Sequence, residues 1–152
     1  MYSLKAILTV DYGKELRASL EVGDTLYPYD NLVKVGCSSY GGVLLLYTSL
    51  TYEDVVELLR RSRLVYVKSI AKVDICCPDD DKELLMRCIS DYLRSTNAKV
   101  GKVKVYERGN LKRYLRDINN LIKGFYERSS RLKLYIAPVD YRVCIGLTID
   151  ND

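Results

Sequence analysis

The residues best suited to chemistry in this chain are cations. Between Arg94 and Arg142 there are 13 lysines and arginines against 4 acids, a local net charge of +9 in a protein whose total is +4. The remainder therefore sums to −5. Concentrated positive charge of this kind neutralises phosphates and releases their counterions, which is the electrostatic footprint of a nucleic-acid-binding surface. A solvated or protein-facing patch is the alternative that charge alone leaves open. The candidate contacts are Lys102, Lys104 and Arg108, then Lys112, Arg113, Arg116 and Lys123, and finally Arg128, Arg131, Lys133 and Arg142.

Other chemistries have less support. The chain has no histidine, so the commonest general base and the commonest metal ligand are both missing. No nucleophile–base pair stands out, and a non-catalytic protein without cofactor or metal is expected. Gly101, Gly109 and Gly124 do not form a phosphate loop or a dinucleotide fingerprint. Asp79, Asp80 and Asp81 are read as acids at the front of a helix, where they complement its dipole, rather than as a metal triad. The five cysteines are odd in number and lack CxxC spacing, so neither a disulfide framework nor a zinc knuckle is indicated; small, buried apolar side chains are expected, with a disulfide pair left open. Adjacent Cys76 and Cys77 point to opposite faces of a strand and are poorly placed to share one metal. Fourteen tyrosines against one phenylalanine suggest half-buried amphipathic rings, some able to stack on bases.

Those side chains need elements to hold them. Lys102 to Glu107 alternates as a strand, and Asn110 opens a helix expected to reach about Arg128. Leu111, Leu115, Ile118, Ile122 and Phe125 recur at 4-3-4-3 spacing along it, which leaves Lys112, Arg116, Asn119 and Lys123 together on one flank. Strands follow at Leu132–Ala137 and Tyr141–Ile149, on either side of Pro138. Upstream, a helix with apolar positions Leu84, Leu85, Cys88, Ile89, Tyr92 and Leu93 begins behind the three aspartates. Earlier still come a strand at Leu4–Asp11 and a helix from Lys14 to Leu26, whose apolar face is assigned to Leu16, Leu20 and Leu26 or Tyr27. A hairpin of Asn31–Cys37 with Val43–Thr48 and a helix capped by Thr51 follow. A long strand-like stretch, Leu64–Cys77, is read as bending at Ser69. The first half thus runs β-α-β-β-α-β, the ferredoxin-like order. Two domains are expected, 1–76 and 77–152, in an α+β protein. The first is electrically balanced, with 9 basic and 9 acidic groups over residues 1–75; the second carries 15 and 11 over 76–152.

The second half resembles a THUMP domain, the RNA-binding module of several tRNA-modifying enzymes. The resemblance rests on VKVYERG, with Lys104 and Arg108, on IKGFYER, with Gly124 at the family's glycine, and on LKLYIAPVDYRVCIGLTI. In the last, Leu134, Ile136, Pro138, Asp140 and Val143 fall on the family pattern. The family's Asn-Pro-Asp is here Ala137-Pro138-Val139-Asp140, a departure at that turn. The first half is similar to the N-terminal ferredoxin-like domain that precedes THUMP domains, through ILTVDYGKELRASLEV, GGVLLLYTS and LLRRSRLVYVKSIAKVDI. The resemblance implies a tRNA-binding protein of the tRNA acetyltransferase adaptor family, whose THUMP domain engages the acceptor end. Such a protein presents tRNA to a separate acetyltransferase that makes N4-acetylcytidine in the D-arm. With no methyltransferase, sulfurtransferase or deaminase segment after Ile149, it would act in trans. The expected partners are tRNA and that enzyme. No apolar run approaches the ~18 residues of a membrane span, and the start reads as a strand rather than a leader, so a cytoplasmic location is expected. The rival reading is a ferredoxin-like regulatory protein that binds a small anion or metabolite. Oligomeric state is left open, including whether Val43–Thr48 offers an edge to another chain.

Overall fold

In the computed structural model, which describes residues 1–150, the chain divides into two compact units between Lys72 and Val73. The first contains β1 (Ser3–Val10), α1 (Glu15–Leu26), β2 (Lys34–Cys37), β3 (Val43–Thr48), α2 (Tyr52–Arg61) and β4 (Val67–Lys72). Its sheet has the order β2-β3-β1-β4, and every neighbouring pair is antiparallel. This is the ferredoxin-like arrangement that the element order implied. Alternate residues of β1 (Ala6, Leu8, Val10) and β3 (Leu44, Leu46) meet Ala18, Val22 and Leu26 of α1 and Val55 and Leu59 of α2 in one core. β3 is an interior strand, so Val43–Thr48 presents no edge to another chain.

The buried face of α1 differs in part from the expected one, keeping Leu26 but not Leu16 and Leu20. Ala18, Val22 and Leu26 are buried, whereas Leu16 and Leu20 are 71% and 56% exposed. Both stripes have helical spacing. The one containing Ala18, which lies in the core with Val22 and Leu26, is the one used. On α2, Thr51 caps as expected, its hydroxyl accepting from the Asp54 N–H at 3.1 Å.

A buried carboxylate pins the loop before β2. Asp30 accepts from the Thr48 hydroxyl at 2.6 Å and from the backbone N–H groups of Ser49 (2.9 Å) and Leu32 (3.0 Å). These hydrogen bonds, the one from Thr48 foremost, lower its pKa to about 2. Because the folded value lies below the unfolded one, the stabilisation is complete above pH ~4 and is lost as pH falls toward 2. Asp30→Asn is therefore expected to lower the stability of the first unit at pH 7, with the difference from wild type vanishing only below pH 2. Denaturant titrations across that range measure it.

The second unit contains β5 (Ile75–Pro78), α3 (Lys82–Ser95), β6 (Lys102–Val105), α4 (Leu111–Lys123), β7 (Leu132–Val139) and β8 (Arg142–Ile149). Its sheet runs β5-β8-β7-β6, with β6 parallel to β7 and the other pairs antiparallel. Leu85, Ile89 and Leu93 of α3 and Leu111, Ile118 and Ile122 of α4 pack on Leu134, Ile136, Val143 and Ile145. Each fully buried aliphatic side chain contributes about 2 kcal/mol. The α+β fold is thus a ferredoxin-like unit followed by a THUMP-like unit.

Three sequence expectations change here. The stretch Leu64–Cys77 does break into two strands, but at Val73–Asp74 rather than Ser69, and the strands belong to different sheets. Asp74 explains why the second unit begins earlier than residue 77. Its N–H donates to the Ile145 carbonyl at 2.8 Å, and its carboxylate accepts from the Leu147 N–H (2.9 Å) and from the Tyr92 hydroxyl. Burial and that carboxylate hold the Tyr92 phenol well above its usual pKa. Next, α4 ends at Lys123 rather than near Arg128. Phe125 turns out of the helix to accept from the Val100 N–H at 2.8 Å, and Gly124 is the C-cap. Third, β7 continues through Pro138 to Val139, because β6 stops opposite Ile136 and leaves no strand on that side for proline to interrupt. Asp140, at φ 55°, turns the chain into β8.

Cysteine pairing, left open by the sequence, is decided by the strand register. Cys76 lies directly opposite Cys144 across the β5–β8 pair, with Cα atoms 3.9 Å apart, and the two form a disulfide. Cys77 points to the helix side and pairs with Cys88 of α3. The opposite orientation of the adjacent cysteines gives each its own partner. Cys37, exposed on β2, is the free thiol. Of the three aspartates, Asp81 caps α3 through the N–H groups of Glu83 and Leu84. Asp79 is 1% exposed at the end of β5, with no side-chain hydrogen-bond partner among the described residues.

Candidate nucleic-acid interface

Eleven cations were candidates, and the structure distributes them over different parts of the second unit. Four of them, Lys112, Arg113, Arg116 and Lys123, stand exposed on the outer side of α4. The helix presents them rigidly because its opposite side is fixed in the core by Leu111, Ile118 and Ile122. Asp117, the acid within this run, is occupied by Lys82 of α3 at 3.1 Å.

A second group lies on the opposite side of the sheet. Val103 and Val105 of β6 and Leu134 and Ile136 of β7 face the helices, so Lys102, Lys104, Lys133 and Tyr135 face away from them. Register places Lys102 beside Lys133 and Lys104 beside Tyr135. Aromatic rings sit among these charges. The Lys104 Nζ is 5.4 Å from the Tyr106 ring centroid, the Arg108 Cζ 5.2 Å from it, and the Lys133 Nζ 4.8 Å from the Tyr135 centroid. Such contacts hold long side chains over a π-face. They also make a basic and aromatic surface of the type on which nucleotides stack. The alternation of cation and tyrosine in Lys104-Val105-Tyr106-Glu107-Arg108 and in Lys133-Leu134-Tyr135 was the signal available for this in the sequence.

A third group gathers at the start of β6. Lys102, Arg128 and Arg131 line a recess of about 290 Å3, together with Ser130 and Asp150. Arg142 stands apart from it: β8 pairs Arg142 with Val139, at the other end of β7 from Lys133. Arg108, half-buried past the end of β6, lies toward that same far end. A single flat surface touching all eleven cations is therefore not what the fold builds.

The recess depends on a glycine. A Cβ on Gly101 would lie 2.0 Å from the Ser130 carbonyl oxygen, a backbone atom that cannot swing aside. Gly101→Ala is expected to destabilise the second unit by about 1–3 kcal/mol through this overpacking. Denaturant unfolding followed by a probe in that unit checks it.

No family model and no curated protein matches the sequence. Solved structures do match in fold. PH1313 from Pyrococcus horikoshii aligns over 97% of this chain with a TM-score of 0.55 at 10% identity. A protein described as a predicted N6-adenine-specific DNA methylase from Listeria monocytogenes aligns over 95% with a TM-score of 0.52 at 12% identity. A possible methylase from Clostridium difficile aligns over 95% with a TM-score of 0.54 at 9% identity. The chain spans 55% of the first of these proteins and 40% of each of the other two. At these identities the likeness is one of fold, shared with part of each of these larger proteins, two of which are described as methylases.

Proposed function

We propose that this chain is a non-catalytic tRNA-binding protein that presents tRNA to a separate modifying enzyme, an acetyltransferase forming N4-acetylcytidine. The observation that carries the binding part is the exposed row Lys112, Arg113, Arg116 and Lys123 on a helix whose other side is locked into the core. Charges of one sign carried on a rigid helix suit a folded polyanion with phosphates at fixed spacing, because no backbone order has to be gained on binding. The sequence resemblance to THUMP domains supports tRNA as the polyanion, and the resemblance to the acetyltransferase adaptors supports the enzyme. The fold likeness to larger proteins named as methylases is in keeping with a role beside nucleic-acid modification.

Capture from cell extract on the tagged chain tests this reading. Recovered RNA is expected to be enriched in tRNA, with an acetyltransferase among the co-purified proteins. Recovery of tRNA with a different modifying enzyme would overturn the acetylation part alone. Absence of any RNA above that held by a charge-reversed variant would overturn the whole.

A further inference from the structure

The recess at the start of β6 has features that the other basic surfaces lack. Among the described residues, Lys102, Arg128 and Arg131 contribute three positive charges to its lining and Asp150 one negative charge, a net +2. Asp150 is only 12% exposed at its side chain and holds the Lys102 ammonium at 2.6 Å, while its own N–H donates to the Arg131 carbonyl at 2.7 Å. Asp150 in this way holds the Lys102 ammonium through its carboxylate and the Arg131 main chain through its backbone. The surrounding backbone is cross-braced as well. Val100 donates to Phe125 and accepts from Glu127, Gly101 donates to Leu132 at 2.9 Å, and the Ser130 hydroxyl bonds Lys99 while accepting from the Leu132 N–H. The close approach at Gly101 allows the segment after α4 to lie directly against the start of β6.

We propose that this recess receives the terminal phosphate monoester of an RNA, an assignment that rests on the RNA-binding reading above. A phosphate monoester carries a charge approaching −2 at pH 7, which the net +2 lining matches; a backbone diester carries −1. A recess also favours an end group, from which a single chain departs, over a diester with a chain leaving on both sides. Two arginines at its rim supply planar donor forks that suit phosphate oxygens, and Lys102 supplies a point charge. The α4 row, by contrast, is an open surface suited to backbone phosphates.

The test compares one tRNA with its 5′-monophosphate intact and after enzymatic removal of it, on the full chain. Wild type is expected to bind the phosphorylated form about tenfold more tightly, as befits loss of charge-assisted hydrogen bonds. Arg128→Ala with Arg131→Ala, both exposed and peripheral to the core, should bind the two forms equally. Lys112→Glu with Arg116→Glu should weaken both forms while keeping their ratio. Equal binding of the two forms by wild type would overturn the recess assignment and leave the RNA reading standing. No binding of either form would overturn both. A nucleoside monophosphate that binds wild type as tightly as the phosphorylated tRNA would reassign the recess to a free nucleotide.

Discussion

Reversing two charges on α4, with Lys112→Glu and Arg116→Glu together, is expected to weaken tRNA binding by at least about tenfold and to flatten its salt dependence. Each phosphate contact that is lost lowers the slope of log K against log salt by about 1. Reversal also places two carboxylates where two phosphates would approach, so the effect exceeds simple neutralisation. Both residues are exposed and neither holds the helix in the core, which is the task of Leu111, Ile118 and Ile122. Surface changes of this sort alter stability by about half a kcal/mol or less. The double variant should therefore unfold like wild type while binding poorly, and that separation distinguishes an interface from a folding defect. Unchanged binding would remove the α4 row from the interface.

The second large effect concerns the disulfides. Cys76–Cys144 spans a separation of 68 residues and Cys77–Cys88 one of 11. On loop-closure entropy they are worth about 4 and 3 kcal/mol respectively, an appreciable part of the stability of a unit this small. β5 is a four-residue edge strand ending in proline, and the two bridges tie it to β8 on one side and to α3 on the other. Cys144→Ser, or treatment with a dithiol reductant, is expected to lower the unfolding midpoint of the second unit. The first unit, whose cysteine is the free Cys37, should be unaffected. Thiol titration of the denatured, unreduced protein should find one reactive thiol, rising to five after reduction. Five before reduction would contradict the pairing.

How far the sequence disclosed this structure depended on whether a signal was local. The 4-3-4-3 stripe from Leu111 identified α4 and its exposed cations, because a helix buries residues one turn apart regardless of what surrounds it. The ferredoxin-like order of the first unit was legible for the same reason. The α1 face was not: Leu16/Leu20 and Ala18/Val22 satisfy the same period, so spacing alone does not choose between them. The end of α4 was missed because Phe125 continues the apolar spacing, while pairing with Val100, a residue 25 positions earlier, is what draws the chain out of the helix. Strand register is equally non-local. Nothing near Cys76 announces that Cys144 will lie across from it, and so pairing stayed open in the sequence although the opposed directions of Cys76 and Cys77 were legible. The cations were countable from the start. Their division between the α4 row, the far side of the sheet and the recess follows from the pleat of β6 and β7 and from the return of the chain after Gly124.

The central claim, that the cations of the second unit bind a folded RNA through its phosphates, is tested most directly by equilibrium binding of tRNA to the intact chain over a range of salt concentrations. The four exposed cations of α4 predict a linear plot of log K against log salt with a slope of about −3 or steeper. A slope near zero, or no saturable binding at low salt, would contradict it.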